Sequence, residues 1–131
     1  MKATCAAALL LLAQVPVTAA AAPALGDPAR GEVIYGRCLA CHALAYNRTG
    51  PMHCGLFGRR AGSVPGFSYS PAMARSKIIW NDGTLDRFLA NPARMVPGTA
   101  MGYAGIADPH ERADLIAWLR VATASSTECR R

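Results

Sequence analysis

A chain of 131 residues has room for one small domain, and its net charge of +6 is not gathered into any run. Twelve of the fourteen basic residues are arginines spread along the length, with no basic block interleaved with aromatics. This argues against nucleic-acid binding and for a moderately basic surface suited to acidic protein partners.

The apolar share of 52% is inflated by the first quarter of the chain, where no charge follows Lys2 until Asp27. "AAALLLLAQVPV" is an apolar core and "TAAAAP" offers small residues to a peptidase. The pattern predicts a cleaved secretory signal over residues 1–21, cut around Ala20 to Ala22, and a single domain over 22–131. The uncharged run is just long enough to span a membrane, but Gln14 and Pro16 interrupt it. Cys5 leaves with the signal. Export places Cys38, Cys41, Cys54 and Cys129 in an oxidising compartment, the periplasm in a bacterium.

The first predicted helix opens at "DPARGEVIYGRC", where Asp27 can cap and Pro28 suits the first turn. Gly31 and Tyr35 lie four apart and share one face, so another helix can approach closely there. Residues 43–67 are rich in Gly and Pro and read as loop. "SPAMARS" repeats the cap-then-proline signal and predicts a short helix. "GTLDRFLANP" predicts another, stopped by Pro92, and "ARMVPGTAMGYAGIA" reads as loop. The last helix opens at Asp108 and Pro109, with Glu111 completing a capping-box pattern. Leu115, Trp118, Leu119 and Ala122 form its apolar stripe. No alternating strand pattern of useful length occurs. An all-α chain with this much loop lacks the helix to build its own core, so another body must fill the middle.

"CLACH", Cys38 to His42, is open to three chemistries. A structural zinc site needs four donors, and no second close cysteine pair exists; His53 and His110 stand in no ligand pattern. A thioredoxin-like pair wants a preceding strand, where this chain predicts helix. Cys-x-x-Cys-His is also the attachment signature of c-type haem, with two thioethers on the porphyrin edge and the imidazole turned to the iron. A haem would fill the missing middle. The opposite iron face could be taken by Met52, Met73, Met95, Met101, His53 or His110. Met101 stands apart because it lies in a Pro/Gly-rich loop rather than on a helix. A methionine thioether favours ferrous iron and raises the potential.

"CLACH", "TGPMHCGLFGRRAG", "PGFSYS", "NPARMVPGTAMGYAGI" and "ERADLIAWL", in this order and spacing, resemble the class I cytochromes c from Gly26 to about Thr123. The loop lengths are similar to those of the bacterial respiratory and photosynthetic branch. The resemblance implies a fold of a few short helices and long loops around one covalent haem c, with the terminal helices crossing. It implies Cys38 and Cys41 as the haem attachment and His42 and Met101 as axial ligands. It implies that the Pro51 carbonyl accepts the His42 ring proton, which would fix the tautomer. Arg59, Tyr69, Trp80 and Thr99 match positions around a buried haem propionate, a group that needs such partners. It places Gly31 and Tyr35 at the crossing, against Leu115 and Trp118.

The implied function is a soluble periplasmic one-electron carrier, not an enzyme, and a monomer. By analogy it serves a cytochrome bc complex, a terminal oxidase or a photosynthetic reaction centre. A haem peroxidase or gas-binding protein would need the Met101 loop to open, and the sequence offers no distal acid–base pair. Four departures from the family pattern stand out. Ala100 replaces a lysine that is a common docking charge and a substitute iron ligand at high pH. Met73 stands where an Asn is frequent, and Phe88 where a Tyr can bond the methionine sulfur. His53 takes a place often apolar, and reads as a neighbour reaching solvent or a stray ligand of partly unfolded forms. Cys54 and Cys129 are extra to the haem pair. In this fold the loop after the haem motif can lie near the end of the last helix, which implies a disulfide tying down the tail.

Overall fold

The computed structural model describes residues 26–130. The secretory signal expected over 1–21 lies outside the described residues. Among these residues there are five α-helices and no strand, only an isolated bridge between Arg60 and Ile79. No helix among them is long and apolar enough to cross a membrane.

The helices are α1 (Pro28–Tyr35), α2 (Pro71–Arg75), α3 (Asp82–Ala90), α4 (Pro92–Met95) and α5 (Pro109–Ser125), with a 3₁₀ turn over Gly36–Cys38 after α1. One device starts four of them. An Asp, Ser or Asn side chain accepts an orphan amide, and a proline follows in the first turn. The helix α3 instead carries a reciprocal box between Asn81 and Thr84, at 2.8 and 2.9 Å.

Two expectations need correcting. The stretch after Pro92 is not all loop: Asn91, the last cap of α3, also accepts the Arg94 amide at 2.9 Å and so starts α4. And Glu111 does not close a capping box. Asp108 accepts the His110 amide at 2.8 Å, but Glu111 takes both arms of the Arg37 guanidinium at 2.8 Å. A two-pronged charged pair is stronger than the single reach back to a backbone amide.

The largest helix contact is α1 against α5. It turns on Gly31, where an added Cβ would lie 2.0 Å from the Asp114 carbonyl oxygen and 2.7 Å from the Trp118 Cβ. Only glycine lets the two backbones come this close. Asp114 completes the joint. Its buried carboxylate accepts the Asp27 amide at 2.6 Å and the Arg30 Nε at 2.7 Å. The stripe faces inward as expected, with Leu115 fully buried and Leu119 4% exposed. Cys54 and Cys129 are joined by a disulfide, Cα atoms 5.3 Å apart, across 75 residues of sequence. Beside it the Gly55 amide donates to the Thr123 carbonyl at 2.9 Å. The end of α5 is thus bound to the loop that follows the CLACH segment.

Gly31→Ala should destabilise the protein by roughly 3 kcal/mol, the upper part of the usual range for forcing atoms into a packed contact. Gly36→Ala, where an added Cβ meets nothing within 4 Å, should be neutral or stabilise by ~0.4–1 kcal/mol. Denaturant midpoints of the two variants check this pair.

The Arg30 guanidinium, and after it the Asp27 amide, hold the Asp114 carboxyl below the ordinary aspartate range. A depressed folded value means that the pair's contribution is complete above the unfolded value, about 3.9, and is lost as pH falls below it. Acid unfolding should therefore steepen below about pH 4. Asp114→Asn should flatten that slope while lowering stability near neutrality, as read by denaturation at a series of pH values.

Candidate functional site

The core of this protein is a shell. Tyr35, Leu56, Trp80, Phe88, Leu89 and Leu115 belong to the buried cluster, and all six also face a central cavity of about 570 Å³. That volume is typical of a site for a bound small molecule or cofactor. Elements from both ends of the chain supply its wall, so it exists only once α1 and α5 have crossed.

Cys38, Cys41, His42, Pro51, Arg59, Tyr69, Trp80, Thr99 and Met101 all line this one cavity. Cys38 and Cys41 take no part in a disulfide, the first half-buried and the second exposed. The 3₁₀ turn ends at Cys38, and the amides of Cys41 and His42 both donate back to its carbonyl, at 3.1 and 2.9 Å. This tight turn swings His42 inward while the thiols stay at the rim. Among the described residues no three His, Cys, Asp or Glu side chains converge as a metal-ion cluster.

His42 is held on several sides. Its Nδ1 lies 2.8 Å from the Pro51 carbonyl oxygen, which can only accept, so Nδ1 carries the proton and Nε2 keeps its lone pair. Burial lowers the His42 pKa, partly offset by that bond, which favours the neutral ring that metal ligation requires. Gly50 passes directly beside the ring: a Cβ there would fall 2.4 Å from Cε1 and 2.7 Å from each nitrogen. The chain returns to this point through the Gly50 amide, which donates to the Cys41 carbonyl at 2.7 Å.

Arg59 donates from Nη1 to the Cys54 carbonyl at 2.6 Å and from Nη2 to the Met52 carbonyl at 3.0 Å. It forms no ion pair with a carboxylate among the described residues, and burial lowers its pKa. A half-buried cation in an apolar wall is costly unless an anion comes to meet it. Tyr69 stands nearby, and its hydroxyl accepts the Val64 amide at 3.3 Å. Trp80 is 8% exposed with its ring 5.1 Å from that of Phe88. Thr99 braces the loop on the other side, its Oγ1 accepting the Met101 amide at 3.2 Å. Met73 and Phe88 are both buried in the same wall.

His53 departs from expectation. It is half-buried and faces the cavity, stacked on His42 with ring centroids 4.3 Å apart and planes 22° apart. Its Nδ1 is 3.0 Å from the Tyr35 hydroxyl. Burial, followed by the neighbouring His42 and Arg59, pushes its pKa down to about 3, so the ring is neutral. Tyr35 is also part of the site: it was legible in the sequence as a helix-crossing residue, but not as a polar partner. The signal available was the co-occurrence of a tyrosine on the first helix and a histidine in an apolar position.

The chemistry of this donor set suits a flat, apolar, anionic cofactor. There are two thiols at the rim, a neutral imidazole with a free nitrogen, a thioether on a separate loop, and an unpaired guanidinium. The cytochrome c family model matches residues 28–123. The chain is 44% identical to a cytochrome c2 of Rhodomicrobium vannielii over 106 residues, 79% of this chain and 85% of that one. It is 46% identical to a cytochrome c of Chlamydomonas reinhardtii over 111 residues, 82% of this chain and 98% of that one. Among solved structures, cytochrome cH from Methylobacterium extorquens superposes with a TM-score of 0.72 at 39% identity, covering 73% of this chain and 99% of that one.

Gly50→Ala tests the clamp on His42. The added carbon collides with the ring, so the variant should lose most of its low-spin haem spectrum, while Gly36→Ala retains it. Absorption spectra of the two purified proteins check this.

Proposed function

The chain belongs to the cytochrome c family, a one-electron carrier with one covalently attached haem c and not an enzyme, and from that premise we propose the following division of labour among its residues. Haem supplies a one-electron ferric/ferrous couple. Cys38 and Cys41 would hold the cofactor through thioethers at the cavity rim. His42 would hold the iron through Nε2, its other nitrogen tied to Pro51. Met101 would hold it through its sulfur. Arg59, with Tyr69, Trp80 and Thr99, would neutralise and seat a propionate. The observation that carries this reading is that all nine residues share one cavity wall although they come from separate segments of the chain.

Each role follows from what the residue can do. The His42–Pro51 bond fixes the imidazole tautomer, and outer bonds of this kind strengthen the ring as a donor. The Thr99–Met101 bond braces the loop that brings the thioether inward. A thioether favours ferrous iron and so raises the potential. Arg59 counters a carboxylate's charge where water is excluded. The apolar shell would keep water from the cofactor, and with both His42 and Met101 holding the iron no site would be left for substrate.

Residues 1–21 would act as a cleaved secretory signal and 22–131 as a single haem domain, placing the protein in the periplasm. There it would shuttle, as a monomer, between membrane or periplasmic redox complexes: a cytochrome bc complex, a terminal oxidase or a reaction centre. Its net charge, +6 for the full chain and one less once Lys2 leaves with the signal, supports weak, electrostatically steered docking on acidic partners. With Ala100 in the ligand loop, such docking depends on arginine.

The protein, made in a host that attaches c-type haem, should show a low-spin spectrum with the sulfur-to-iron charge-transfer band when oxidised. Met101→Ala should abolish that band, keep the covalent haem and lower the reduction potential. A charge-transfer band that survives in Met101→Ala would move the sulfur ligand to another methionine.

A further inference from the structure

We propose that Tyr35 and His53 form a positioning pair for the His42 ring: the Tyr35 hydroxyl sets the rotation of the His53 imidazole, and that imidazole, lying flat on His42, sets the plane of the iron ligand. The inference rests on His42 being the ligand.

A side-chain imidazole has a broad, shallow preference about its last torsion. Its plane is therefore set by neighbours. The Pro51 carbonyl restrains His42 at one atom, and the Gly50 backbone abuts the ring only around Cε1. His53 supplies a whole flat surface, 4.3 Å away centroid to centroid and tilted by 22°. His53 would itself be free to turn were it not for the Tyr35 hydroxyl at 3.0 Å from Nδ1. Tyr35 is in turn rigid. It is 4% exposed on α1, and its ring lies 4.2 Å from that of Trp118 on α5. The helix crossing is thus linked to the ligand through two side chains, Tyr35 and His53.

The polarity of the pair supports a positioning role over space filling. A leucine or phenylalanine at 53 would fill the volume with no buried polar atom. A histidine there needs a partner, and the chain provides one on another element. Directional bonding fixes a rotation that apolar packing alone leaves loose.

With His42 and Met101 holding the iron, the plane of the His42 imidazole would contribute, together with the orientation of the Met101 sulfur, to how the unpaired spin of a ferric haem is distributed over the porphyrin. That distribution appears in the order and spread of the four haem-methyl proton resonances. These resonances would be compared in native holoprotein, Tyr35→Phe, His53→Leu and the double variant, each first shown to keep the low-spin spectrum and the charge-transfer band. Tyr35→Phe and His53→Leu are both expected to shift the methyl pattern. The double variant should match His53→Leu alone, because Tyr35 acts through His53. Should His53→Leu fail to load haem, His53→Phe takes its place and is expected to match Tyr35→Phe, since it keeps a flat ring without the hydroxyl bond. A Tyr35→Phe protein with the native methyl pattern would overturn the proposal. Native protein without a low-spin spectrum would instead overturn the ligand assignment beneath it.

Discussion

The structure depends on the contact between Gly31 and the Asp114 carbonyl. Two helices from opposite ends of the sequence can meet there at backbone distance only because one residue has no side chain. The meeting point is polar as well as close, since the Asp114 carboxylate takes the amide of the α1 cap and the guanidinium of Arg30. A bare apolar crossing would tolerate sliding. A carboxylate with two fixed donors sets the register of α1 on α5.

That register decides where everything downstream lies. Tyr35 is one turn beyond Gly31, and the turn ending at Cys38 follows directly. On the other helix, Leu115 and Leu119 become cavity wall. The remaining helices are too short to hold themselves together. Each has a local start signal, but its burial comes from the shared core. A chain built this way folds around a body that its own side chains do not supply, and the apolar shell and the cofactor chemistry are two aspects of one arrangement.

Much of this is legible in the sequence. Cap-then-proline at Asp27, Ser70 and Asp108 marks helix starts because the physics is local: an acceptor for an orphan amide and a ring that fits the first turn. Gly31 and the Leu115 stripe were legible by periodicity, and the CLACH segment by its spacing. What escaped depends on distant partners. Glu111 has a local use as a capping residue, yet Arg37, seventy-four residues away in sequence, outcompetes it. Asn91 serves two helices, which no single-helix rule suggests. His53 looks like a surface residue until the fold brings Tyr35 to it. Asp114 falls on a buried face where a helical pattern would ask for an apolar side chain, and only Arg30 and the Asp27 amide explain it.

The link between residues 54 and 129 affects more than the tail. In many proteins loops and terminal helices open independently, as separate cooperative units with their own free energies. Here the loop that supplies His53, and whose Cys54 carbonyl holds Arg59, is joined covalently to the chain just past α5, with the Gly55–Thr123 hydrogen bond alongside. The loop cannot swing outward unless the end of the longest helix moves with it. Two units that could breathe separately are merged into one. Amides of the loop around His53 and Cys54 should therefore share the exchange protection of the α1–α5 pair instead of the weaker protection usual for a loop.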